Sequence, residues 1–217
     1  MGINMKTLLV IIIFSLYAIP CTSQKRETIF QSTIKLEGKN TNIRDLIDID
    51  GYYQDIDDKS KRTGRMFFED GTCVTLFWFK EGVTEDMKRE NLSQAIYSWK
   101  QKGQVRWGTY WGVYTINKDT IVLQNVTKAG LFNMSWSFNE IMYKVLDRQT
   151  LKLIYYKDLL AKDDGDPYEI GKKNFTDKFV PTDSFPSSDC WLKEEKWIWR
   201  NEQDWKDYME KIKTKKK

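Results

Sequence analysis

Two runs of β-branched and aromatic residues, 107–116 and 120–126, are separated only by Asn117-Lys118-Asp119, and no other feature limits the fold of this chain so strongly. Such side chains suit a pleated, half-buried surface. The short polar break reads as a tight hairpin turn, with Asn117 able to take the positive φ it requires. Gly108 and Gly112 interrupt the first run, where glycine marks a bulge or a sharp bend. The same style recurs on both sides. Residues 65–68 and 73–79 flank an Asp70-Gly71 turn, a strong hairpin signal. Residues 133–146 and 151–156 flank Asp147-Arg148-Gln149-Thr150. In 133–146, Trp136 and Phe138 share one phase, while Ile141, Tyr143 and Val145 take the other, so a one-residue bulge is expected near Asn139-Glu140.

Short strands joined by regular turns predict an antiparallel sandwich or barrel. A barrel of about eight strands has no free edges, and its interior holds side chains or one small ligand. Two segments break the strand pattern. In 82–102, Thr84 offers an N-cap with Glu85 and Asp86 in the first turn, and Leu92, Ala95, Ile96 and Trp99 fall on one helical face. Near the end, Asn201 caps a helix whose Trp205, Tyr208, Met209 and Ile212 share a face. Its terminal lysines suit the negative end of the helix dipole. The expected fold is therefore mainly β: an antiparallel barrel of about eight strands with one inserted helix and a C-terminal helix.

The first residues read as an address and not as part of the fold. Lys6 precedes the apolar run that begins Leu8-Leu9-Val10-Ile11-Ile12-Ile13-Phe14, which is shorter than the ~20 residues that span a bilayer. Residues 1–20 are thus expected to be a signal peptide, 21–42 a polar tether, with a short strand through Ile29, Ile34 and Leu36 as the alternative, and 43–217 a single domain. Cys21 directly follows the apolar run. It is either the lipid-modified N-terminus of an envelope lipoprotein, attached to the membrane by that anchor only, or it is removed by cleavage after Ser23. Cys73 and Cys190 remain. In an oxidising compartment they are expected to form one disulfide, the alternative being two unpaired thiols.

The chain contains no histidine. That excludes Ser-His-Asp and Cys-His catalysis and His-ligated zinc or iron sites. Asp163, Asp164 and Asp166 lack the loop spacing of a calcium site and read as a solvated turn. No catalytic residue, metal ligand or cofactor is assigned. A net charge of +4 does not call for a nucleic-acid partner, and the nine Trp are explained first by packing. Trp78, Trp107, Trp111, Tyr114, Trp136 and Tyr143 are the aromatic residues expected to line a cavity, if they do not simply fill the core.

The repeated hairpins, with phrases such as Trp107-Gly108-Thr109-Tyr110 and Asp147-Arg148-Gln149-Thr150-Leu151, resemble those of lipocalin-like (calycin) lipoproteins of Bacteroidetes-type bacteria, as does the exported N-terminus with Cys21. The resemblance covers residues 51–156. Gly51-Tyr52-Tyr53 stands where calycins carry Gly-x-Trp. The resemblance implies a barrel and a cell-envelope address more than a reaction. The function expected from it is a binding module for a small hydrophobic ligand. The alternatives are a solid barrel that interacts through its outer face or lysine-rich tail, and a hydrolase using two of the thirty-one acidic residues.

Overall fold

The computed structural model describes residues 32–55, 63–77, 109–129, 135–160, 175–183, 185 and 187–215. Eight strands form a closed antiparallel barrel: β1 Gly51–Asp55, β2 Thr63–Phe67, β3 Thr72–Phe77, β4 Thr109–Asn117, β5 Thr120–Ala129, β6 Ser135–Asp147, β7 Thr150–Asp158 and β8 Thr176–Pro181. Each pairs with its neighbour in sequence, and β8 returns to β1 with Gly51 opposite Pro181 and Asp55 opposite Asp177. This architecture is consistent with a lipocalin-like fold. The C-terminal helix is present as α1, Glu202–Lys215, and the Asn201 side chain accepts from the Gln203 N–H at 2.8 Å. The expected helix in 82–102, the signal peptide, Cys21, Trp78, Trp107 and the Asp163 turn lie outside the described residues.

The hairpin turns at 68–71, 118–119 and 148–149 all lie at the end where β1 begins. Gly71 takes φ +89°, and the Asp70 carboxylate accepts from the Thr72 N–H and hydroxyl at 3.0 and 2.6 Å. At the next turn the positive φ falls on Lys118 and not on Asn117, which ends β4 opposite Thr120. A 3-10 turn, η1 (Ile43–Asp45), closes this end. Ile43 and Ile47 are fully buried in the core, together with Ile49. The plug is tied to two hairpins: the Asp48 N–H donates to Arg148 O at 2.9 Å, and Arg44 pairs with Glu69 and Asp50. Tyr53 adds a third tie, its hydroxyl donating to both Asp48 O and Arg148 O.

The long strand β6 is regular where a bulge was expected. Its ladder with β5 runs unbroken from Thr120–Lys144 to Ala129–Ser135. Apolar residues occupy both phases because both faces are covered: Ile141 and Tyr143 point inward, whereas Phe138, of the opposite phase, is buried outside the barrel. The register shifts lie elsewhere, against β7, next to Tyr143 and Asp147.

Residues 32–42, read as tether, are packed onto the barrel. Ser32, Ile34 and Leu36 are buried at alternate positions. Ser32 and Thr33 both meet the fully buried Gln124 amide of β5, at 2.7 and 2.9 Å. Leu36 pairs in parallel with Trp199, its N–H donating to Ile198 O and its carbonyl accepting from Arg200 N–H. The strap is thus held by the C-terminal segment, which forms two 3-10 turns, η2 (Trp191–Glu194) and η3 (Lys196–Ile198). Lys193 is nearly buried and fastens that segment to the β2–β3 turn through Asp70 at 2.5 Å.

Candidate functional site

Strand partners opposite one another share a face, so the register sorts the barrel interior residue by residue. On five strands the inward positions nearest the plug are apolar or weakly polar, and the next is polar. The sequence runs Phe67 to Arg65 on β2, Cys73 to Thr75 on β3, and Ile121 and Leu123 to Asn125 on β5. On β6 it runs from Val145 through Tyr143 and Ile141 to Asn139, and on β8 from Phe179 to Asp177. The plug half is a filled core: Ile43, Ile47, Ile121, Leu123 and Leu151 are each fully buried. Tyr53, Phe67 and Tyr114 meet edge to face there, with ring centroids 6.0 and 5.4 Å apart.

Beyond that layer lies a polar constellation centred on Arg65. Its guanidinium donates to the Tyr143 hydroxyl, to Thr75 Oγ1 at 3.2 Å and to Asp177 Oδ2 at 3.4 Å. It also lies 4.7 Å from the centre of the Tyr143 ring. Arg65 and Asp177 are each only 8% exposed. Burial lowers the Arg65 pKa from its usual value, partly offset by the Asp177 charge. Asn125 Nδ2 shares Thr75 Oγ1 at 3.4 Å, and its Oδ1 accepts from the Cys73 thiol at 3.8 Å. Asn139, directly across from Asn125, accepts from the Tyr156 hydroxyl at 3.0 Å. Gly112 makes room for this network, because a Cβ there would come within 2.5 Å of Asn125 Oδ1. Its role is close approach between β4 and β5, not the bend expected from sequence.

The aromatic residues singled out from sequence divide sharply. Tyr143 is interior and belongs to the Arg65 network. Tyr114 is interior but serves the plug, its hydroxyl donating to Phe68 O at 2.7 Å and meeting Thr41 Oγ1 at 2.6 Å. Trp111 is not a liner. It sits opposite Val74 and Val126 on the outer face and stacks on Phe68 at 5.9 Å. Trp136 pairs with Lys128, and its side chain lies outside the described residues. Arg65, Asp177, Asn125 and Asn139 were missed. Their signal was present as polar residues in phase with inward apolar ones, but a phase names the interior only once the register is known.

The expected disulfide is not formed. Cys73 and Cys190 are free, buried thiols, and burial pushes each up to about 12. The Cys73 thiol is directed instead at the Asn125 amide inside the barrel. Among the described residues no group of three Cys, Asp or Glu side chains is placed to hold a metal ion, and no helix is long and apolar enough to cross a membrane. No family model, curated protein or solved structure matches the chain.

Proposed function

We propose that this protein is an exported, envelope-anchored binding module whose barrel holds one small, mainly apolar molecule, with a polar or acidic group of that molecule directed at Arg65. The observation that carries the reading is the Arg65 constellation. An eight-stranded barrel has room for one small ligand if side chains do not fill it. Burying an arginine and an aspartate in such a barrel is costly, and apolar residues of similar volume often serve stability equally well or better. Stability therefore gives no reason to place Arg65 there, whereas recognition of a polar group does. Leu153, opposite Tyr143, and Tyr156, whose hydroxyl meets Asn139, carry apolar surface from the core up to this network.

The envelope address rests on the apolar N-terminal run and on Cys21 as an acyl-anchored residue. Native mass spectrometry before and after solvent extraction tests the binding reading, followed by titration with fatty acids, haem and hydrophobic dyes. A bound species that an Arg65→Met/Asp177→Leu variant no longer retains, while still folded, supports it. An intact barrel that purifies empty and binds none of the probes refutes it and leaves the solid-barrel alternative. Labelling with a radioactive fatty acid, and its loss in Cys21→Ser, tests the anchor separately.

A further inference from the structure

Outside the barrel, the strap and the sheet enclose a separate cleft of about 340 Å³. One wall is the strap from Thr33 to Asn42, the other is the lower end of β4 at Tyr114, Thr115 and Ile116, and Gly71 and Arg200 complete it. The cleft exists because β4 outruns β3. Tyr114 N–H makes the last bond on that side, to Gly71 O at 2.9 Å, and below it the β2–β3 turn diverges. Alternation along the strand turns the Ile116 N–H and C=O to this same edge, where neither has a backbone partner among the described residues.

The charges are unequal. Lys35, Lys39 and Arg200 line the cleft against Glu37 and Asp70. Asp70 already holds Lys193 and Thr72. Glu37 divides itself between Lys39 at 2.5 Å and Arg200 at 2.6 Å. Lys35 has no carboxylate partner among the described residues, and its ammonium donates to the Trp197 carbonyl at 2.6 Å. Partial burial lowers its pKa, and it stands in the cleft without a counter-charge among the described residues. Thr41, Asn40 and Thr115 also line the cleft; the Asn40 amide already meets Glu69 and the Thr41 hydroxyl Glu69 O and Tyr114, whereas Thr115 is exposed.

We propose that this cleft is a second binding site, which takes a small hydroxylated anion: a sugar bearing a carboxylate or a phosphate. The acidic group pairs with Lys35 and competes with Glu37 for Arg200, while the hydroxyls meet the Thr115 side chain and the Ile116 backbone edge, which has no backbone partner among the described residues. Charge-assisted hydrogen bonds of this kind are the strong ones, and a few polar groups suffice to orient a ligand of sugar size in a cleft of this volume.

Calorimetric titration of the intact protein with glucuronate, glucose 6-phosphate and glucose tests the assignment. The expected result is saturable binding of at least one acidic sugar, with glucose weaker by about tenfold or more. The tighter of the two acids identifies the group recognised. Lys35→Gln is expected to weaken binding by about tenfold. Glu37→Gln is expected to tighten it, because it releases Lys39 and Arg200. Opposite signs from two strap residues are not what a purely structural role would give. Absence of saturable binding by both acids, equal binding of glucose, an unchanged affinity in Lys35→Gln, or weaker binding in Glu37→Gln each overturns the proposal.

Discussion

The two halves of the barrel interior share one sheet but differ in what they contribute. In the plug half, Ile43, Ile47, Ile121, Leu123 and Leu151 exclude water completely. Each such side chain stabilises the fold by about 1.5–3 kcal/mol through burial alone. In the other half, Arg65, Thr75, Asn125, Asn139 and Asp177 occupy positions that apolar residues would fill without a desolvation cost. Stability is concentrated at one end, and polarity is tolerated at the other. The difference teaches where function is to be sought in a barrel whose overall fold names none.

Cutting into the filled half should have the largest effect. Leu151→Ala removes a fully buried side chain and is expected to cost about 2–5 kcal/mol, read as a lower urea midpoint with the slope unchanged. Arg65→Met takes a cationic partner from Asp177 and is expected to cost about 3 kcal/mol. The paired change Arg65→Met/Asp177→Leu should recover that loss, or exceed the original stability by up to about 4 kcal/mol. If the double variant is as weak as the single one, the polar half stabilises the fold and the contrast collapses. Gly112→Ala tests the boundary. Its new Cβ would meet the Gln124 carbonyl and the Asn125 side chain at 2.5 Å, and a cost of about 2 kcal/mol is expected in a thermal melt, with the largest amide shifts on β4 and β5.

The smallest expected effect lies outside the barrel, at the ion pair that fastens the C-terminal segment. Burial alone would raise the Asp70 pKa, but the Lys193 charge and hydrogen bonds from Lys193, Ser188 and Thr72 outweigh it and hold the carboxyl below its usual range. A depressed folded-state pKa contributes stability above the unfolded value of about 4, and that contribution is lost as the pH falls through the folded value. Acid titration should therefore loosen the C-terminal segment, followed by the fluorescence of Trp199 and Trp205. Asp70→Asn should flatten that transition. A transition unchanged in the variant would assign it to other carboxylates.

Much of the fold was legible because hairpin chemistry is local. Asp70-Gly71, the break at 117–119 and Asp147–Thr150 each declared a turn within a few residues, and Asn201 announced its helix. Where local pattern misled, tertiary covering was responsible. The outer face is buried along the row Met66, Val74, Trp111, Val126 and Phe138, from β2 to β6, as well as the inner one, so Phe138 and Ile141 in opposite phases looked like a bulge. The strap was half legible: Ser32 and Lys35 read as polar tether, while the alternation of Ile34 and Leu36 gave the short-strand alternative that their burial and the Leu36–Trp199 bridge favour. The site was the least legible part. Aromatic size drew attention to Trp111, which stacks outside, whereas the groups that distinguish the interior are ordinary polar residues whose placement depends on register across eight strands.

Native mass spectrometry of the intact barrel beside its Arg65→Met/Asp177→Leu counterpart tests the central claim most directly. The expected result is an adduct on the original protein that extraction removes and an added amphiphile restores, and its absence from the equally folded variant. An original protein that carries no adduct and accepts none of the probes, or a variant that holds the same species equally well, would contradict it.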